Sequence, residues 1–186
     1  MISIISSITG RHSPRAFSDK AVSTEETEAL FEAARWAPSA FNHQPWRFVV
    51  ADKNKNINLY DKIFASLEDF NRKWAITAPI LVAVIAYSKG PKGNTNKYAW
   101  YDTGQAVSNL CSQATSMGIF AHQMGGFDPS IISKNLNLSD DFEPVTVIAI
   151  GYKGDIKKLP EKIQELEIKK IRERKALGEF VYYKEF

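Results

Sequence analysis

The chain is expected to fold as a layered α+β protein. Three observations lead there. Strand-like segments number only three or four among many helical patterns, and they do not alternate with helices as a doubly wound fold requires. The unbroken apolar run at 79–87 reads as a central strand buried on both faces. With 186 residues, 44% hydrophobic and 12% aromatic, the chain has the material for one full core, and its length suits one domain over 1–186.

The elements follow in order. A short amphipathic start (Ile2, Ile5, Ile8) precedes a polar stretch over 11–18. Ser23 and Glu26 form a capping-box pair, and Leu30, Ala33, Ala34 and Ala37 then line one helical face until Pro38 ends it. Residues 38–45 are bounded by two prolines and must be an irregular loop; 46–51 reads as a strand. Two helical patterns span about 54–76, and the composition of 88–95 predicts a mobile loop. A long helix is expected over 101–117, stopped by Gly118. After the pair Gly125-Gly126, Asp128 caps a helix with Pro129 at its first position. A strand at 145–152, a polar tail helix and a short aromatic strand at 180–183 complete the chain.

Charge and composition exclude several function classes. Residues 153–186 hold 10 Lys+Arg against 7 Asp+Glu, which leaves 14 of each in residues 1–152, so the whole excess of +3 sits in the tail. A nucleic-acid module spreads its basic stripe over the core, and this core is neutral. The tail reads as a solvated helical face or as a local anion site. No apolar run reaches the ~20 residues of a spanning helix, and the first residues lack the pattern of a signal peptide. The single cysteine, Cys111, allows no internal disulfide and reads as a packed side chain of the long helix. A cytoplasmic protein is expected.

The acid–base inventory is sparse. His12, His43 and His122 are scattered without metal-ligand spacing, and no nucleophile elbow, P-loop or dinucleotide turn is present. No metal site and no catalytic side chain is expected; chemistry here needs a cofactor. Three segments could hold one. Arg11-His12-Ser13-Pro14-Arg15 offers guanidinium forks and a hydroxyl to an anion. The loop 37–46, with Pro38, Ser39, Ala40 and Asn42, is rigid and rich in short side chains. Gly125-Gly126 permits backbone to approach a flat ring. Each has a plainer alternative: a surface loop, a structural connection, a turn.

Taken together and in this order, the segments resemble the FMN-dependent nitroreductase family. The likeness covers nearly the whole chain: Arg-His-Ser-x-Arg at 11–15, Pro-Ser-x-x-Asn-x-Gln-Pro-Trp-x-Phe at 38–48 and the stretch 71–79. It continues through the helix after Asp102, Gly-Gly-Phe-Asp at 125–128, and Arg172-x-Arg174. The resemblance implies a nitroreductase-like fold, a central and mostly antiparallel sheet flanked by helices, in an intertwined homodimer. It implies non-covalent FMN, with NAD(P)H as co-substrate and a nitroaromatic, quinone or other electron-poor acceptor reduced in a ping-pong cycle.

Residue by residue, the resemblance assigns the FMN phosphate and ribityl chain to Arg11 and Ser13, with His12 among the cofactor-binding positions, and to Arg172 and Arg174. Arg15 matches the basic residue near the pyrimidine edge of the ring, where a fixed charge supports the negative charge that hydride transfer delivers. Asn71 matches a ring-contacting amide, and Gly125 and Gly126 match backbone near N5. Pro38, Ser39, Ala40 and Asn42 would contact the flavin of the other subunit, and residues 160–186 would cross to that subunit, with 180–183 pairing at its sheet edge. Two departures stand out: Gly125 replaces an acidic side chain of some relatives, and Trp74 replaces a lysine. The chain is also shorter than the larger members, so Phe41, Tyr98 or Trp100 is a candidate roof, as core packing is for each. Other flavin chemistry on the same fold, such as dehalogenation or dehydrogenation, and non-catalytic flavin binding are the rival readings.

Overall fold

The run at 79–87 does become the strand on which everything else is laid. In the computed structural model, which describes residues 3–90, 92–169 and 171–185, it forms a strand paired on both sides. The elements in chain order are α1 (Ser6–Thr9), α2 (Thr24–Arg35), β1 (Trp46–Asp52), α3 (Ile57–Phe64), α4 (Asp69–Ala75) and β2 (Ile80–Tyr87). They continue with α5 (Ala99–Ser116), β3 (Phe120–Met124), α6 (Pro129–Asn135), β4 (Phe142–Gly151) and α7 (Glu161–Ile168). Short 3-10 turns occupy Ala40–Asn42, Ile156–Lys158 and Leu177–Glu179. The four strands make one antiparallel sheet in the order β1-β2-β4-β3.

Strand periodicity divides the core between the two faces of that sheet. Ile80, Val82 and Val84 of β2, with Ile148 and Ile150 of β4, face α2 and α5 through Leu30, Ala34, Ala106, Leu110 and Ala114. Leu81, Ala83, Val147 and Ala149 face the other way, onto Tyr60, Ile63, Trp74, Ile132 and Ile163 from α3, α4, α6 and α7. Seven of the eight residues of β2 are therefore buried. Pro144 lies inside β4 because the register slips there, opposite Val84/Ile85, and a bulge tolerates a residue that cannot donate to the ladder.

The local signals act as expected. Ser23 Oγ accepts from Glu26 N (3.1 Å) while Glu26 Oε2 accepts from Ser23 N (2.8 Å). Asp128 Oδ1 accepts from Ser130 N at 2.8 Å and caps α6. Gly118 adopts φ 69°, the left-handed turn that ends α5. Cys111 is buried and its thiol is pushed up by that burial. Among the described residues no helix is long and apolar enough to cross a membrane.

One expectation needs correction, and two others gain detail. Residues 180–183 form no strand in this chain: Phe180 N and Val181 N both donate to Leu177 O, so the donors a ladder needs close a turn instead. The segment 88–95 is a closed turn, with Gly90 N donating to Asn94 O and Asn96 N to Ser88 O; Pro91 lies outside the described residues. The amphipathic start leaves Ile5 and Ile8 exposed, and Ile2 lies outside the described residues.

Candidate functional site

The polar turn after α1 meets the chain's far end. Arg11, His12 and Ser13 line a cleft of about 330 Å³ together with residues 171–174. Arg11 Nη1 donates to Ser13 Oγ (3.0 Å) and Arg172 Nη1 to Thr9 O (2.7 Å), which stitches the tail to the start. Arg174 Nη1 donates to the Glu173 carbonyl at 2.6 Å. Among the described residues none of these three guanidiniums is in an ion pair. Each carries five N–H donors in a planar fork, so a lining of three arginines against one acid, Glu173, could hold an anion with several oxygens. The structure thus joins the early and late members of the expected phosphate set across some 160 residues of sequence.

From that cleft a line of contacts runs inward. His12 packs its ring on Phe120 of β3, 4.6 Å between centroids. Two residues along the strand, His122 meets the Pro14 carbonyl through Nδ1 at 2.8 Å and stacks on Trp74 of α4, centroids 4.4 Å apart. Trp74 is fully buried and donates from Nε1 to Asn71 Oδ1 (3.2 Å). Asn71 Nδ2 in turn donates to Gly126 O (2.9 Å), which also accepts from Glu68 N (3.0 Å).

The two paired glycines differ in the space around them. A Cβ on Gly126 would lie 2.8 Å from Asn71 Nδ2 and from Glu68 Oε2, whereas one on Gly125 would meet nothing within 4 Å. A side chain at 126 would have to push those two side-chain ends aside, whereas Gly125 faces open space.

Arg15 has a counter-ion that the sequence did not reveal. Its Nη1 lies 2.7 Å from Glu167 Oε1 of α7, in a pair whose side chains are only 21% and 10% exposed. The guanidinium carbon also sits 5.6 Å from the Phe70 ring centroid, next to Asn71. The expected fixed charge is present, but it is compensated. Glu167 is hidden in the sequence because it is one of three glutamates in a polar helix, with Glu161 and Glu165, and no spacing rule singles one out.

The loop 38–45 is held under backbone strain. Phe41, Asn42 and Gln44 have φ of 52°, 56° and 47°, values that are unfavourable for a bulky side chain. Ala40 N donates to Asp102 Oδ2 (3.0 Å), a carboxylate 2% exposed in the first turn of α5, and Gln44 N donates to Ser39 Oγ (3.0 Å). Asp102 is a holding residue that sequence reasoning passed over; a carboxylate in the first turn of a helix was the available signal. Pro38, Phe41 and Asn42 are exposed. Ala37 and Trp46, which flank the loop, pack on the α2/α5 side, whereas Trp74 belongs to the opposite core. The chain therefore gathers Arg11, His12, Ser13, Arg172 and Arg174 in one place and Asn71 with Gly126 in another linked to it. Pro38, Ser39, Ala40 and Asn42 stand apart.

The comparisons with known proteins bear on this arrangement. A family model described as "Nitroreductase family" matches residues 8–152. A protein of Mycolicibacterium smegmatis, known only as an uncharacterized 15.4 kDa protein, is 30% identical over 141 residues, 73% of this chain and 94% of its own. An Archaeoglobus fulgidus protein, provisionally named an NADH dehydrogenase/NAD(P)H nitroreductase, is 26% identical over 79% of this chain and 83% of its own. Among solved structures, one described as an oxidoreductase containing FMN superposes with a TM-score of 0.91 at 32% identity, covering 100% of this chain and 93% of that one. Family match, α+β architecture and the order of the site segments agree, and the chain belongs to the nitroreductase family.

Proposed function

We propose that the protein is an FMN-dependent NAD(P)H oxidoreductase that reduces nitroaromatics, quinones or related electron-poor acceptors by alternating binding of donor and acceptor. The observation that carries the reading is the three-arginine cleft and the chain of contacts that leads from it, through His12, Phe120, His122 and Trp74, to the Asn71–Gly126 pair. A cation-rich end for a phosphate and an amide-and-glycine end for a flat ring are the two demands FMN makes, and the residues fit it. The solved relative described as containing FMN supports the same assignment.

In this reading Arg11, Ser13, Arg172 and Arg174 hold the phosphate, with His12 beside them, while Asn71 and the backbone at Gly125 and Gly126 orient the ring. Arg15 lends charge at the pyrimidine edge, tempered by Glu167. Bound FMN supplies hydride acceptance from the nicotinamide and its return to the acceptor. The protein's share is to bind, orient and polarise, with no proton passed by a side chain.

The working unit is a homodimer with shared sites, in which Pro38, Ser39, Ala40 and Asn42 complete the partner's pocket; of the extension 160–186, α7 and residues 172–174 pack on their own chain and the part beyond them reaches across. Exposed Trp36, Phe41, Tyr101, Phe180 and Tyr183 supply apolar area for such a contact. The chain acts as one domain in the cytoplasm. An anaerobic titration tests the whole reading. Yellow protein bleached by NADH or NADPH and recoloured by a quinone or nitroaromatic is expected; yellow protein that neither donor reduces is a flavin carrier, and protein that takes up no FMN removes the proposal.

A further inference from the structure

We infer that Trp74 is a positioning residue that sets the orientation of the Asn71 amide, and through it the hydrogen-bonding face offered to the flavin ring. The inference rests on the FMN reading for its ligand but on the chain alone for its geometry. An amide can be turned by half a turn with little change in shape, so its partners decide which end is which. Here both partners are unambiguous. The Trp74 indole nitrogen can only donate, so the Asn71 atom 3.2 Å from it must be the oxygen. The Gly126 carbonyl can only accept, so the atom 2.9 Å from it must be the NH₂.

Trp74 can impose this choice because it cannot move. It is fully buried, stacked on His122 (4.4 Å, 26° between planes) and on Phe17 (6.4 Å, 23°). His122 is itself tied to Pro14 O. Gly126 is held equally well, since its carbonyl also accepts from Glu68 N and no Cβ could fit at that position without displacing Asn71 or Glu68. After these two bonds the amide retains one N–H and one oxygen lone pair for a ligand. Where a lysine at position 74 would bring a cation to the site, this chain has a neutral donor acting through its neighbour.

The test is a double-mutant cycle on FMN affinity, read by flavin fluorescence quenching on apo protein. Trp74→Phe keeps an aromatic ring but removes the N–H; it should weaken FMN binding about 3- to 10-fold, the range of one hydrogen bond. In an Asn71→Ala background the same substitution should change affinity by less than about twofold, because the partner is gone. Equal losses in both backgrounds, or no loss in the first, would show that Trp74 only packs. A second measurement needs neither flavin nor the Trp74 variant. Hydrogen exchange of the Trp74 indole N–H in apo protein should be faster in Asn71→Ala than in wild type, and equal rates would overturn the inference. Wild-type protein that binds no FMN but shows the difference in exchange would keep the Trp74–Asn71 assignment and remove the cofactor reading.

Discussion

At the scale of single residues, charge and shape make separable demands on the site. The arginine cleft is a claim about phosphate, so it should fail only when phosphate is present. Arg11→Ala and Arg174→Ala are each expected to weaken FMN binding about tenfold or more, the worth of a charge-assisted hydrogen bond, while riboflavin binding stays unchanged. Isothermal titration with both ligands decides it; a parallel loss for riboflavin would mean that these side chains only shape the fold. The glycines make a claim about space. Gly126→Ala should cost the apo protein no more than about 1 kcal/mol in urea unfolding, the worth of the Asn71–Gly126 hydrogen bond that its Cβ would disturb. Gly125→Ala, which meets open space, should be close to neutral.

At the scale of elements, α7 and α6 show how secondary structure carries the site. α7 buries Ile163 in the core and aims Glu167 at Arg15. Removing that counter-ion leaves a partly buried guanidinium uncompensated, so Glu167→Gln should lower stability by about 1–3 kcal/mol, measured by denaturant unfolding. α6 begins at Asp128, whose carboxyl is held below its usual range, first by the Ser130 hydroxyl and then by the Ser130 and Ile131 amides. A carboxyl depressed in the folded state stabilises the fold above its unfolded pKa, and that contribution is lost as pH falls through the folded value. Thermal melts from pH 5 down to pH 2 should therefore fall less steeply for Asp128→Asn than for wild type. Much of this architecture could be read from sequence, because caps, prolines and an eight-residue apolar strand are local statements. The phosphate set and the Asn71–Gly126 pair could be found through motif order. Glu167 could not, because its role depends on which distant elements meet; Asp102 offered only its place in the first turn of a helix, and the Trp74–Asn71 bond lies within α4 at a spacing of three, which brings two side chains together without saying that they bond. The aromatic tail failed for a related reason: strand propensity needs a ladder partner, and this chain offers residues 180–183 a turn.

At the scale of the whole molecule, the division of the site residues is the feature to explain. The strained loop bearing Ser39, Ala40 and Asn42 is pinned to α5 by Asp102, on the side of the sheet away from Trp74. Strain of this kind persists where a fixed backbone is useful, and within one chain the loop stands apart from the arginine cleft and the Asn71–Gly126 pair. In the homodimer proposed above, a C2 operator would bring the loop of one copy to the site of the other. The consequence is quantitative. Arg174→Ala damages the phosphate end of a site, and Asn42→Glu damages the contribution made to the partner's site. At an FMN concentration near the wild-type Kd, the sites of each homodimer should be largely empty. Co-expressed with separate tags, the two chains pair at random, half of the dimers are mixed, and each mixed dimer has one site carrying both changes and one carrying neither. About a quarter of all sites should then be intact, and purified mixed dimers should bind about half as much FMN as wild type and regain half the wild-type rate. If the loop served its own chain's site, both sites of a mixed dimer would carry one lesion each and neither would recover.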